Sequence, residues 1–141
     1  MRAYATNSAG TAYGNEVSFT TSANTNLSLE GKWLTSGGTG ITITGTTGVY
    51  YSFSPTVQAA AAKGLVSIGS FILKEIASVS IYKWNCLQLG IYSVNNVPTQ
   101  AVWSYNGTIT MSTDGKTITI ISSWIMPNGS NDTTTNVLTR Q

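Results

Sequence analysis

The stretch Trp103-Ser-Tyr-Asn-Gly-Thr-Ile-Thr-Met-Ser-Thr-Asp-Gly-Lys-Thr-Ile-Thr-Ile-Ile-Ser-Ser-Trp124 decides how the chain is read. It alternates at period two on both sides of Asp114-Gly115. Trp103, Tyr105, Ile109 and Met111 share one face, with Gly107 between them, and Thr108, Thr110 and Ser112 share the other. Asp-Gly suits a hairpin turn, because Gly takes positive φ without steric cost and Asp tolerates it. On the return arm, Ile118, Ile120 and Trp124 fall on one side and Thr117 and Thr119 on the other. Such alternation predicts half-buried strands, here one long β-hairpin with an oily face and a threonine face. The remaining segments must shut that oily face away from water.

Working outward, Gly40-Ile-Thr-Ile-Thr-Gly45 and Gly48-Val-Tyr-Tyr-Ser-Phe-Ser54 read as two strands joined through Thr46-Thr47. Ile41, Ile43, Val49, Tyr51 and Phe53 fit an inward face, and Thr42, Thr44, Tyr50 and Ser52 an outward one. Phe71 to Ile76 is a further strand. Val79 to Tyr92 is strand-rich but loses its alternation: Trp84 and Cys86 share one face, Leu87 and Leu89 the other. A bulge or burial on both faces would account for that. Asn95-Asn-Val-Pro98 reads as a loop, and Pro127-Asn-Gly-Ser130 as a turn into a last strand, Thr133 to Thr139. Ser54 to Gly64 is the one convincing helix, with Ser54 as cap, Pro55 in the first turn and Gly64 as a left-handed stop. It is too short to persist alone and must dock Val57, an alanine face and Leu65 as a plug or a lid. About eight strands follow Ala23, enough to close a barrel filled by side chains or holding one small ligand. The fold class is therefore all-β: an up-and-down antiparallel barrel of about eight strands with one short helix, plus an N-terminal hairpin.

Charged residues make up 9% of the chain, against an average near ~25%, so solubility rests on Thr, Ser and Asn. The seven basic residues are scattered and net charge is +2, which argues against a nucleic-acid surface. No apolar run is long enough for a transmembrane helix. Cys86 is the sole cysteine, which excludes an internal disulfide, and it reads as a small buried apolar side chain.

Two resemblances add to this reading. Arg2-Ala-Tyr-Ala, the loop Ser8 to Asn15 and Glu16-Val-Ser-Phe-Thr-Thr21 resemble the last two strands of a fibronectin type III domain of bacterial surface proteins. The likeness covers residues 1–23 alone and implies that Met1 lies inside a longer natural chain. An isolated hairpin is marginal, so this one is either a loose tail or a strand donor for self-association. Ser22 to Asn26 reads as the linker to a second unit, residues 24–141. That unit resembles the lipocalin-like domains of bacterial surface lipoproteins, through Gly31-Lys-Trp33 on its first strand, Trp84-x-Cys86, the Asp-Gly hairpin and a Thr-rich last strand ending in Arg140. The helix after the third strand departs from the common lipocalin order. The resemblance implies a structural closure in which Arg140 covers Trp33 beside Gly31. It also implies an exported, extracellular or cell-surface parent anchored by lipid, although no signal peptide is legible at Met1-Arg2-Ala3-Tyr4.

Little chemistry remains. The chain has no histidine, which excludes Ser-His-Asp triads, Cys-His pairs and His-based metal sites. Asp114 and Asp132 sit in turns, leaving Glu30 and Glu75 as the one conceivable acid pair, better explained as solvated strand residues. No catalytic residue, metal ligand or cofactor is assigned. Trp84, Trp103, Tyr105 and Trp124 are the candidate ligand-binding residues, able to line a cavity or stack on a sugar or lipid, or simply to fill the core. The expected function is a non-enzymatic surface module that binds a small apolar or carbohydrate ligand. The alternative is a structural spacer or adhesion module with a filled barrel.

Overall fold

A computed structural model describes residues 2–18 and 28–141. Nine strands follow Ser28: β3 (Gly31–Thr35), β4 (Gly40–Thr44), β5 (Thr47–Ser52), β6 (Phe71–Ser80), β7 (Lys83–Val94), β8 (Val97–Trp103), β9 (Asn106–Met111), β10 (Thr117–Ile125) and β11 (Asn131–Arg140). Eight of them form the ring β6-β5-β4-β3-β11-β10-β9-β7, and β7 pairs back to β6 to close it. All neighbours are antiparallel. The ninth, β8, is an extra strand laid against β7. Closure gives every ring strand a neighbour on both sides, although β11 meets β3 only through Leu138, Thr139 and Arg140.

Inside the barrel the hairpin behaves as its alternation requires. Ile109, Met111, Ile118, Ile120 and Trp124 are buried, joined by Trp33, Ile41, Ile43, Leu73 and Leu138. Ile118 faces Met111 and Ile120 faces Ile109 across the ladder, so each pair lies on the same side. Ser112 and Asp114 build the turn: the Asp114 carboxylate accepts from the Ser112 hydroxyl and the Lys116 N–H. Those bonds hold the exposed Asp114 carboxyl below its ordinary range.

The hairpin is shorter than its sequence suggests. Trp103 ends β8, Ser104 is buried at a bend, and Tyr105 is 56% exposed instead of sharing the inner face with Ile109. The stretch from Asn95 is no loop. Asn95 and Asn96 both have positive φ (50° and 62°), forming a tight two-residue turn that starts β8 directly. The broken alternation of Val79 to Tyr92 has two causes. It spans the end of β6, a turn at Ile81-Tyr82 and most of β7. The β6–β7 register also shifts between Lys74 and Ala77 and again between Ser78 and Ser80. At the first shift Glu75 has φ +55°, a left-handed conformation on a non-glycine residue.

In β5 the faces are exchanged relative to expectation. Gly48 and Tyr50 point inward, and Val49 and Tyr51 are half-buried outside. The register explains it: Gly48 faces Ile43 and Tyr50 faces Ile41, so they share the inner face with those isoleucines. Gly48 sits tightly there, since an added Cβ would lie 3.2 Å from the Leu73 side chain.

Helix α1 (Pro55–Ala61) is capped by Ser54, whose hydroxyl accepts from the Val57 N–H, and the chain leaves it through Gly64 at φ +73°. Ala60 is fully buried, and Val57, Ala61 and Leu65 pack against the core. At the other terminus, β1 (Tyr4–Asn7) and β2 (Gly10–Tyr13) form a separate two-stranded sheet. The second strand was expected over Glu16 to Thr21, yet Glu16, Val17 and Ser18 belong to no strand. The chain reverses earlier because the Asn7 side chain accepts from the Ala9 N–H and Gly10 takes φ +134°. Tyr4 and Tyr13 then pair across the sheet at 6.2 Å, with Arg2 over the Tyr13 ring. Phe19 to Thr21 and the linker Ser22 to Asn26 lie outside the described residues.

Candidate functional site

The two ends of the barrel differ. At one end the Arg140 guanidinium lies 4.3 Å from the centroid of the Trp33 ring. Its three nitrogens donate to three separate carbonyls: Nε to Gly115, Nη1 to Glu30 and Nη2 to Ser28, at 2.9, 2.9 and 2.6 Å. Trp33 is fully buried and its indole N–H donates to the Leu29 carbonyl at 2.8 Å. Gly31 has φ +127°, and a Cβ there would lie 3.3 Å from Arg140 Nη1. This end is sealed.

The other end opens into a lumen of about 570 Å³. The turn at Ser36-Gly37, the helix start at Thr56-Val57, and Met126 and Asp132 form its mouth. Its walls are Ile41, Tyr50, Leu73, Ile91, Ile120 and Leu138, with Gln88 and Trp124 among them. Gln88 stands where β7 changes neighbour. Its first part pairs with β9 and its last part with β8. Between them Ser104 stands in: its N–H donates to the Gln88 carbonyl and its hydroxyl accepts from the Gln88 N–H, both at 2.8 Å. The Trp124 indole N–H donates to the same carbonyl at 3.1 Å. The Gln88 backbone is thus fixed on both sides, while its side-chain amide oxygen is buried without a hydrogen-bond partner. An orphaned buried polar atom of this kind is uncommon and costs stability unless something satisfies it.

The four aromatic candidates do not converge. Trp124 lines the lumen, at only 2% exposure. Trp84 packs on the core, and Trp103 lies beneath the Lys74 ammonium at 4.4 Å. Tyr105 borders a separate outer cleft of about 500 Å³ with Glu75, Asn85 and Asn106. Period two placed these rings together, and the bend at Ser104 separates them. Gln88, Gly90, Ser104 and Asp132 were missed. Gln88 had a signal: with Trp84 and Cys86 it continues one face of β7 as its sole amide.

Glu30 and Glu75 make no pair. The Glu30 carboxylate accepts from the Gly45 N–H at 3.3 Å, and Glu75 lies 3.9 Å from Lys74. Among the described residues no cluster of acidic or cysteine side chains could hold a metal ion, and no helix is long and apolar enough to cross a membrane.

Two buried groups make the barrel sensitive to alkali. Burial pushes the Cys86 thiol from 9.0 up to about 11 and the Tyr50 phenol from 10.0 up to about 12. Folding holds both neutral while the unfolded chain ionises at the ordinary values. Their contribution is complete below pH 9 and is lost from there to about pH 11 for Cys86, and from pH 10 to about 12 for Tyr50. The unfolding free energy from urea titration should fall steadily above pH 9, by up to ~2–3 kcal/mol per group. Cys86→Ala should flatten the lower part of that fall, and an unchanged profile would refute the assignment.

The fold and its cavity define the chain as a closed eight-stranded antiparallel β-barrel with an internal lumen open at one end. No protein-family model, curated protein or solved structure matches it.

Proposed function

We propose that this chain is a non-enzymatic module of an exported bacterial cell-surface protein, and that its barrel takes a small ligand, apolar or carbohydrate, in the open-ended lumen. The observation that carries the binding role is the lumen itself. At about 570 Å³ it falls within the usual range for small-molecule sites, and its lining mixes apolar residues such as Ile41, Leu73, Ile120 and Trp124 with Ser, Thr, Asn, Gln and Asp side chains. The resemblance of residues 29–140 to lipocalin-like domains of surface lipoproteins, and of the N-terminal segment to fibronectin type III strands, supports the surface location.

A second reading, a spacer or adhesion module, draws on burial: Trp33, Ile43, Ile109 and Ile118 at the sealed end, and equally Ile41, Leu73 and Ile120 in the wall of the lumen, are almost wholly inaccessible. Trp124 separates the two, because it alone among the four tryptophans lines the lumen. Titrating the protein with panels of apolar amphiphiles and oligosaccharides should shift its tryptophan emission saturably, and Trp124→Phe should remove most of that shift. Silence across both panels would favour the spacer.

A further inference from the structure

The charge of the lumen narrows what it can hold. Apart from Tyr50, whose phenol burial keeps neutral, its one ionisable lining residue is Asp132, which is acidic and exposed at the mouth. The nearby lysines face elsewhere: Lys74 lies over Trp103, and Lys32 lies 5.3 Å from Tyr51, which is outside the lumen. A buried carboxylate without a cation or a set of donors is strongly disfavoured, and Asp132 adds repulsion. The lumen's deepest polar groups are the Tyr50 phenol and the Gln88 amide, and the amide, held by its fixed backbone, lacks a partner on its oxygen. An uncharged group that both donates and accepts, such as a hydroxyl, satisfies an amide in either orientation.

We infer that the lumen selects an uncharged amphiphile, an apolar body carrying a hydroxyl that bonds to Gln88, and rejects the corresponding carboxylate. This rests on the proposed ligand-binding role of the same cavity. The test pairs 1-decanol with decanoate, followed by Trp124 emission at pH 8. Decanol should bind at least tenfold more tightly, and the gap should close at pH 4, where the acid is largely protonated. Gln88→Leu should weaken decanol binding about tenfold. Asp132→Lys, at an exposed position that does not threaten the fold, should raise decanoate affinity several-fold by supplying a cation. Equal binding of decanol and decanoate at pH 8, or no gain for decanoate with Asp132→Lys, would overturn the selection while leaving the lumen a binding site. Failure of every amphiphile to bind would overturn the binding role, and the selection with it.

Discussion

Trp33→Ala should cost ~3–5 kcal/mol, measured as the loss in unfolding free energy from urea titration. The indole is fully buried, so truncation leaves a cavity at the sealed end. It also orphans the Leu29 carbonyl, which now accepts the indole N–H at 2.8 Å, and removes the ring beneath Arg140. Arg140 supplies the companion measurement. Its nitrogens reach Gly115, Glu30 and Ser28, which lie before the first barrel strand and in the β9–β10 turn. Lysine offers a charge but no planar fork, so Arg140→Lys should recover little of what Arg140→Ala loses, ~2–3 kcal/mol. A loss below ~0.5 kcal/mol for Arg140→Ala, the scale of an ordinary surface change, would show that the closure is ornamental.

The second large effect is expected at Gly107. A Cβ there would stand 2.7 Å from the Ser122 hydroxyl, 2.8 Å from the Cys86 carbonyl oxygen and 3.1 Å from the Cys86 sulfur. Ser122 can rotate, but the Cys86 carbonyl belongs to the wall where β7 pairs with β9 at Asn85–Thr108. Gly107→Ala should cost ~1–3 kcal/mol and Gly107→Val more, since overpacking must move backbone. Ser122 provides a control. Its hydroxyl is buried without a partner, so Ser122→Ala should be neutral or stabilising by up to ~1 kcal/mol. Combined with Gly107→Ala it should recover part of the loss but not all, because the carbonyl contact remains. Wild-type stability for Gly107→Val would mean that the wall yields there. Gly90 differs in that an added Cβ meets side-chain atoms of Trp124, at 2.9 Å, and no backbone atom.

Much of the barrel was legible because the strand signals were local. Asp114-Gly115, Pro127-Asn-Gly-Ser130 and the alternation of Ile118, Ile120 and Trp124 each depend on a few neighbouring residues. The helix was legible for the same reason, with its cap, first-turn proline and left-handed glycine all adjacent. What failed was whatever depended on register. Val49 and Tyr51 look at least as apolar as Gly48 and Tyr50, and only the pairing of Ile43 with Gly48 decides which set faces inward, whereas Phe53, just past the strand, packs on the core as expected. The candidate site suffered most. Grouping Trp103 and Tyr105 with Trp124 assumed an unbroken strand, and one buried serine at position 104 interrupts it. Gln88 went unnoticed because a lone amide draws attention only once its surroundings are seen to be apolar.

The contacts that seal the barrel bridge an extreme span of chain. The Thr139 hydroxyl meets the Leu34 carbonyl across 105 residues, and Arg140 reaches Glu30 and Ser28 across 110 and 112. During synthesis the early ribbons must wait, with their inner faces uncovered, until Arg140 leaves the ribosome. Such distant pairing makes assembly slow, and the delay falls while Trp33 still lacks its cover.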